Sequence, residues 1–208
     1  MGYYRSLTAA FLFLAALVAI SADASGIISK RCKALIPEFQ RAYKNHPIPA
    51  AALASQVVQE SSCKRLAKSH AGAVGLTQFT KPTLDHMAAK HRITCNWREV
   101  RCALRLQTAY MKDLWLLSPA KHMKKPCDRW AVAATAYNGG RGWSLRDYRR
   151  AKREGGDYRA YWKEKDGFEA YHDQRRADWA IRENEGYPRH ILRRQVGFQR
   201  LGWMGVCT

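Results

Sequence analysis

The chain reads as a mainly α-helical domain. Three observations predict this. Apolar residues recur at helical spacing in its longer segments. Those segments are closed by proline or glycine. No run alternates in the manner of a strand, and no internal repeat is present. Its 208 residues fit one domain.

The first 24 residues stand apart from that domain. Arg5 gives a short basic start, Leu7 to Ile20 is an uncharged run rich in Ala, Leu and Phe, and Ala22-Asp23-Ala24 is a small-x-small cleavage site. This pattern predicts a secretory signal peptide cut after Ala24. The competing reading is a retained or releasable membrane anchor, with membrane association through the N-terminus. The run is short for a spanning helix of roughly 20 residues.

From Ile28 the residues Ile28, Cys32, Leu35, Ile36, Phe39 and Tyr43 follow a helical period, with a kink or restart expected at Pro37. Asn45 to Pro49 is a linker, and Pro49 suits the start of a helix from about Ala50 to Glu60. Ala71 to Leu76 is too glycine-rich for a helix and predicts a turn. Lys81-Pro82-Thr83 opens a helix to about Lys90. Leu106, Tyr110, Met111, Leu114 and Leu117 mark a long helix from about Arg101, closed by Ser118-Pro119. Trp130 to Tyr137 is an alanine-rich helix ended by Asn138-Gly139-Gly140. The segment 144–182 is dense in both charge signs and in Tyr and Trp. It predicts a helical insertion broken at Gly155-Gly156. Its aromatics either pack on the core or form a sugar-stacking or anion-binding arm.

Six cysteines, Cys32, Cys63, Cys95, Cys102, Cys127 and Cys207, all follow the cleavage site. An even count in an exported chain predicts disulfides, with fifteen connectivities open. A bridge from Cys32 would pin the N-terminal end to the body. No C-x-x-C pair is present, so the spacing does not suggest zinc, and the chemistry below calls for no metal and no cofactor.

The formal charge is +19, and residues 1–24 contribute nothing net because Arg5 and Asp23 cancel. Such a chain concentrates on polyanions. For an exported protein, periplasmic or extracellular, the anionic cell envelope is the expected partner. Nucleic acid is not, since acidic residues are interleaved through the basic and aromatic segment.

The chemistry centres on Glu60. It ends an apolar run from Ala50 to Val58. A carboxyl buried among apolar groups is destabilised as an anion, so its pKa rises and it can protonate a glycosidic oxygen near neutral pH. By itself, a lone glutamate is more often a surface or capping residue.

Four strings change that balance. They are Gln59-Glu60-Ser61-Ser62-Cys63, then Ser69 to Gln78, then Ala136-Tyr137-Asn138-Gly139-Gly140, and finally Glu183-Asn184-Glu185-Gly186-Tyr187. Together, in this order over roughly Ile36 to Leu192, they resemble the soluble lytic transglycosylase family, relatives of goose-type lysozyme. The resemblance implies a lysozyme-like helical domain with a substrate groove. It implies that Glu60 is the single catalytic acid and base. Ser61, Ser69, Gln78, Tyr137, Asn138, Glu183 and Tyr187 would contact peptidoglycan glycan strands, with Tyr137 approaching the acid. Thr77 stands where the family has methionine. The stretch from Asn138 to Glu183 is long for the family, and Glu185 is the alternative occupant of Glu183's place.

The activity implied is non-hydrolytic cleavage of the bond between N-acetylmuramic acid and N-acetylglucosamine to a 1,6-anhydro product, in wall remodelling or phage-type lysis. A hydrolytic muramidase on the same fold is one alternative, a non-catalytic basic envelope-binding protein another. A glycosidase using two carboxylates needs a partner for Glu60, and Asp85, Glu99 and Asp113 are the candidates that folding would have to bring close.

Overall fold

The structure is a computed structural model that describes residues 28–117, 119–162, 167–173 and 175–207. The signal or anchor segment, residues 1–24, lies outside the described residues. Among the described residues the fold is helical throughout, as expected, with only isolated β-bridges.

The helices, in chain order, are α1 (Lys30–Lys33), α2 (Ile36–Tyr43), α3 (Ala50–Ser61), α4 (Lys81–His91), α5 (Val100–Leu117), α6 (Pro126–Gly139), α7 (Arg141–Arg153) and α8 (Asp178–Gln199). Pro37 does mark a restart. The chain breaks at Ala34-Leu35, and Pro37 falls in the first turn of α2, where its missing N–H costs nothing. A short 3-10 turn, Pro119–His122, follows α5. Helix α6 begins four residues before Trp130, because Pro126 supplies a pre-formed first turn.

Helix α3 is nearly all core. Ala51, Ala52, Leu53, Ala54 and Val57 are fully buried. It packs against α8, which also packs against α6, and α6 packs in turn on α5 and α7. Ala131, Val132, Ala133, Ala134 and Ala136 of α6 are fully buried as well. Small side chains there let three neighbouring helices approach one axis closely, at little entropic cost. Thus α3, α6 and α8 are fixed against one another, and each carries part of the site.

Three disulfides close the fold: Cys32–Cys63, Cys95–Cys102 and Cys127–Cys207. The first fastens α1 to Cys63, two residues beyond α3, so Cys32 does pin the N-terminal end of the described residues to the body. The third ties the start of α6 to the chain's far end.

The segment 144–182 departs from the expected pair of helices. Helix α7 stops at Arg153, and the described residues from 154 to 177 hold no α-helix, only the 3-10 turn Phe168–Ala170. Gly155 turns the chain at φ +80°, and Gly156 lies so close to the Tyr171 ring that a Cβ would sit 2.2 Å from it. Hydrogen bonds to distant parts of the chain hold the path in place of helix. The Asp128 carboxylate accepts from the backbone N–H groups of Tyr161 (2.9 Å) and Trp162 (3.1 Å). His172 lies between the carboxylates of Asp147 on α7, at 3.1 Å, and Glu185 on α8, at 3.0 Å. The aromatics of this segment mostly pack inward: Tyr161 is fully buried, and Tyr148, Tyr158, Trp162 and Tyr171 pack on the core. Among the aromatics of this segment with described side chains, Trp179 on α8 is the exposed one, at 66%. No helix among the described residues is long and apolar enough to cross a membrane.

Candidate active site

Glu60 sits in the last turn of α3, on the floor of a cleft of about 240 Å³. Gln78, Phe79 and Thr80 line one wall, and Tyr137, Asn138, Gly139 and Gly140 at the end of α6 line the other, with Tyr110 of α5 between them. Residues from three distant stretches of sequence therefore meet at one carboxyl group. Larger concavities exist. One, of about 380 Å³, is lined mainly by arginines around Arg146 and Arg150. Arg150 and Arg153 pair with Glu154 and Arg175 with Asp173, and the concavity stays net positive, with no acid of raised pKa in its lining.

Burial is the largest influence on Glu60. It pushes the carboxyl up to about 8, against a weaker downward pull from the Tyr187 hydroxyl and with a further upward push from the negative charge of Glu183. Helix α3 brings this about because Ala51, Ala52, Leu53, Ala54 and Val57 bury it in the core up to its last turn. The group is neutral at pH 7 and open to the cleft on its outer side.

The tyrosine that touches the acid is Tyr187, not Tyr137. Tyr187, buried on α8, donates its hydroxyl hydrogen to Glu60 Oε1. Tyr137 instead donates to the Thr77 carbonyl at 2.7 Å. Its ring packs at a tilt against Phe79 and Tyr110, with centroids 5.4 and 5.3 Å away, and the three rings form an apolar surface of the cleft. Glu60 acts on it electrostatically, and burial holds its phenol well above the ordinary tyrosine value. Asn138 donates from Nδ2 to Asn184 Oδ1 at 3.1 Å, which joins the end of α6 to α8. Gly139 leaves room for the side-chain ends of Arg176 and Asn184 beside α6. A Cβ there would lie 2.6 Å from Arg176 Nη2 and 2.8 Å from the Asn184 amide.

The residues between α3 and α4 build the other wall as a tight double turn. Ser69 Oγ accepts from the Ala73 N–H at 3.0 Å, and Gly75 N–H donates to Ala67 at 2.8 Å. Gly75 has φ +78°, and a Cβ on it would meet the Trp97 ring at 2.8 Å, so no larger residue fits without displacing that ring. Gln78 holds a left-handed backbone at φ +49°, and its side-chain amide donates to Gly75 (2.8 Å) and Ala67 (3.3 Å). Such a conformation costs about 1 kcal/mol or more and is retained where neighbours impose it. The Ser61 hydroxyl lies 2.8 Å from the Leu76 carbonyl oxygen and 3.3 Å from that of Val57. Ser61 and Ser69 thus spend their hydroxyls on the backbone. They fix the wall, whereas Gln78, Tyr137 and Asn138 face the cleft.

Helix α8 supplies the outer rim. Trp179, Glu183 and Tyr187 stand four residues apart and follow one side of the helix, from an exposed ring to the hydroxyl on Glu60. Of the two carboxylates competing for the late position, Glu183 acts on Glu60, and Glu185 is turned to His172. The three carboxylates considered as partners for Glu60 do not line the cleft. Asp85 pairs with Lys81 at 2.7 Å, and Asp113 lies against Lys90 (2.7 Å) and His91 (2.8 Å).

Sequence reasoning passed over Gln56 and Gln107. Both are completely buried, and Gln56 reaches Tyr187. The available signal was a glutamine one helical turn before Glu60, inside a run made mostly of Ala, Leu and Val.

Residues 37–159 match the family model described as the transglycosylase SLT domain. The fold is similar to the 70 kDa soluble lytic transglycosylase of Escherichia coli, with TM-score 0.56 and 19% identity over 79% of this chain and 24% of that one. It is similar to an inactive mutant of the lytic transglycosylase Slt of Pseudomonas aeruginosa, with TM-score 0.55 and 19% identity over 79% and 24% of the two chains. A 70 kDa soluble lytic transglycosylase in complex with bulgecin A gives TM-score 0.59 and 18% identity over 84% and 26%. The chain thus spans about a quarter of the length of these structures. No curated protein matches it in sequence.

Proposed function

The chain belongs to the transglycosylase SLT domain family, and from that premise we propose that it is a peptidoglycan lytic transglycosylase. It cleaves the β-1,4 bond between N-acetylmuramic acid and N-acetylglucosamine and leaves a 1,6-anhydro-muramyl end. The observation that carries this reading is the Glu60 carboxyl, raised to about 8 and open to a cleft.

Glu60 acts twice. Neutral at pH 7, it gives its proton to the glycosidic oxygen as that bond breaks. The muramyl acetamido group offsets the positive charge developing at the anomeric carbon. The carboxylate left behind takes the proton of the muramyl 6-hydroxyl, whose oxygen attacks that carbon and closes the anhydro ring. No water is consumed, and the acid ends as it began. Tyr187 supports the intermediate stage, because a phenol hydroxyl on the carboxylate favours the anion. Among the described residues Asp85, Glu99 and Asp113 are absent from the cleft lining, and the second carboxylate that acts on Glu60, Glu183, raises its pKa; both support a scheme in which Glu60 serves as acid and base in turn.

The glycan would lie across the cleft, against Gln78, Asn138 and the Phe79, Tyr110 and Tyr137 surface, and continue along α8 past Glu183. Trp179, exposed on α8, is available to stack on a sugar. Trp179→Ala is expected to raise KM for polymeric glycan about tenfold, in line with the loss of one ring contact, and to leave kcat nearly unchanged. Initial-rate kinetics on soluble glycan strands check this.

Disulfides and the +19 charge support an exported protein that gathers on the anionic envelope by long-range attraction. The deciding experiment is mass analysis of digested peptidoglycan. Products lighter by one water than the hydrolytic ones are expected, absent with Glu60→Gln. Reducing ends in their place would make the enzyme a muramidase. Binding without cleavage would make it an envelope-binding protein.

A further inference from the structure

A continuous line of buried hydrogen bonds leads away from Glu60 into the core. Gln56 Nε2 donates to the Tyr187 hydroxyl oxygen at 3.2 Å. Gln107 Nε2 donates to Gln56 Oε1 at 2.8 Å and to the Leu53 carbonyl at 3.1 Å. The Tyr43 hydroxyl donates to Gln107 Oε1 at 2.6 Å. Gln56 and Gln107 are fully buried, Tyr43 is 2% exposed and Tyr187 4%. Four helices contribute: α2, α3, α5 and α8.

The line has a single direction, and one atom sets it. The Leu53 carbonyl can only accept, so it draws the Gln107 amide nitrogen to its side. The Gln107 oxygen then faces Tyr43, which must donate. The second Gln107 N–H points at Gln56, which must present its oxygen. Gln56 therefore presents nitrogen to Tyr187 and fills the phenol oxygen's acceptor site. The Tyr187 hydrogen is left for Glu60.

We propose that Gln56, Gln107 and Tyr43 are positioning residues, a one-way relay that commits the Tyr187 hydroxyl to the Glu60 carboxylate. The proposal rests on reading Glu60 as the catalytic acid and base. Each donor in such a series polarises the next, so the last bond is stronger than an isolated phenol would make it. The relay favours the anionic form of Glu60, which the second half of the reaction needs, against a burial that favours the neutral one. A core built only for stability would fill these positions with apolar side chains, as α3 does at Leu53, Ala54 and Val57.

The groups facing Glu60 are Glu183 and Tyr187 of α8, Tyr137 of α6 and, across the cleft, Tyr110 of α5. Of these, only Tyr187 is touched by Gln56, so a change at Gln56 reaches Glu60 through one hydroxyl. The test is the titration of Glu60 in the full chain labelled with 13C at the glutamate carboxyl, its resonance assigned by its loss in Glu60→Gln. Tyr187→Phe is expected to raise the midpoint by about one pH unit. Gln56→Met, which keeps the volume, is expected to raise it by about half a unit. Tyr43→Phe, which removes one oxygen at the far end, moves it less and in the same direction. The alkaline limb of the pH–rate profile moves with the midpoint, and kcat falls while KM holds.

The relay is overturned if Gln56→Met and Tyr43→Phe leave the midpoint at its wild-type value, or if they lower activity only in proportion to folded protein. Should Gln56→Met fail to fold, Tyr43→Phe decides alone. The titration does not depend on turnover. Loss of the functional reading, seen as cleavage that persists in Glu60→Gln, is therefore distinguishable from loss of the relay, seen as an unmoved midpoint in a Glu60-dependent enzyme.

Discussion

Glu60→Gln is expected to lower peptidoglycan cleavage at least a thousandfold while making the folded protein more stable at alkaline pH. The first effect follows from the double duty of one group. Proton transfer by a positioned acid or base contributes typically 10²–10⁴, and here the same side chain serves both halves of the reaction. The amide keeps the shape of the carboxyl and neither gives nor takes the proton.

The second effect follows from the sign of the shift. The folded state holds the Glu60 proton up to about 8, whereas an unfolded chain releases it near 4.5. Folding therefore carries an extra proton between those values, and this contribution, complete below about 4.5, is lost as pH rises through 8. Above pH 8 the wild type keeps an anion in an apolar pocket that Gln does not. Allowing for the cleft side, where solvent screens the charge, the difference is about 2 kcal/mol at pH 9. That corresponds to a Tm roughly 5 °C higher for Glu60→Gln at pH 9 and little difference at pH 5. Calorimetry at the two pH values checks it. A variant no more stable than wild type at pH 9 would mean that the Glu60 anion carries no burial penalty, so that the group is already ionised at neutral pH and is not poised as an acid. The same argument places the alkaline limb of activity near pH 8.

Much of this site was legible from the sequence because its parts are local. The apolar run before Glu60 fixes both helix and burial, and the glycine pattern from Ala71 to Gly75 fixes a turn whose φ values other residues resist. What was not legible depends on distance in the chain. Tyr137 and Tyr187 are equally plausible neighbours of an acid, and only the placement of α8 against α3 decides that Tyr187 reaches it. Gln56 and Gln107 look like ordinary helix formers until they are found with no exposed surface. The segment beyond Gly155 has the composition of an amphipathic helix. Yet it is held in an irregular path by Asp128, Asp147 and His172, whose contacts span 25 to 34 positions. Cysteine pairing is of the same kind, since composition gives the count and the fold alone gives the partners.

That pairing sets the other large expected effect. A disulfide restricts the unfolded chain in proportion to the logarithm of the loop it closes. The three bridges span 7, 31 and 80 positions. Cys127–Cys207 is therefore expected to contribute most, about 4.5 kcal/mol, and Cys95–Cys102 least, about 2.4 kcal/mol. Its position adds a structural reason. Cys127 lies in the first turn of α6, whose other end carries Tyr137 and Asn138, and Cys207 follows the apolar contacts of Phe198, Trp203 and Val206. Without the bridge the residues after α8 lose their tie to α6, although Val206 keeps its N–H on Gln195 at 3.3 Å. Replacing both Cys127 and Cys207 by Ser is expected to lower Tm by about 10–15 °C, against about 5 °C for the Cys95 and Cys102 pair. Removing the cysteines at 127 and 207 leaves the catalytic geometry to reform whenever the chain is folded. Activity per folded molecule is therefore expected to stay near wild type at low temperature and to fall steeply on warming, while reductant destabilises the wild type and has no further effect on the variant at this bridge. Thermal melts with and without dithiothreitol, read beside initial rates, separate these outcomes. Equal losses for the two pairs would mean that native contacts around each bridge, rather than loop length, govern the stability of this fold.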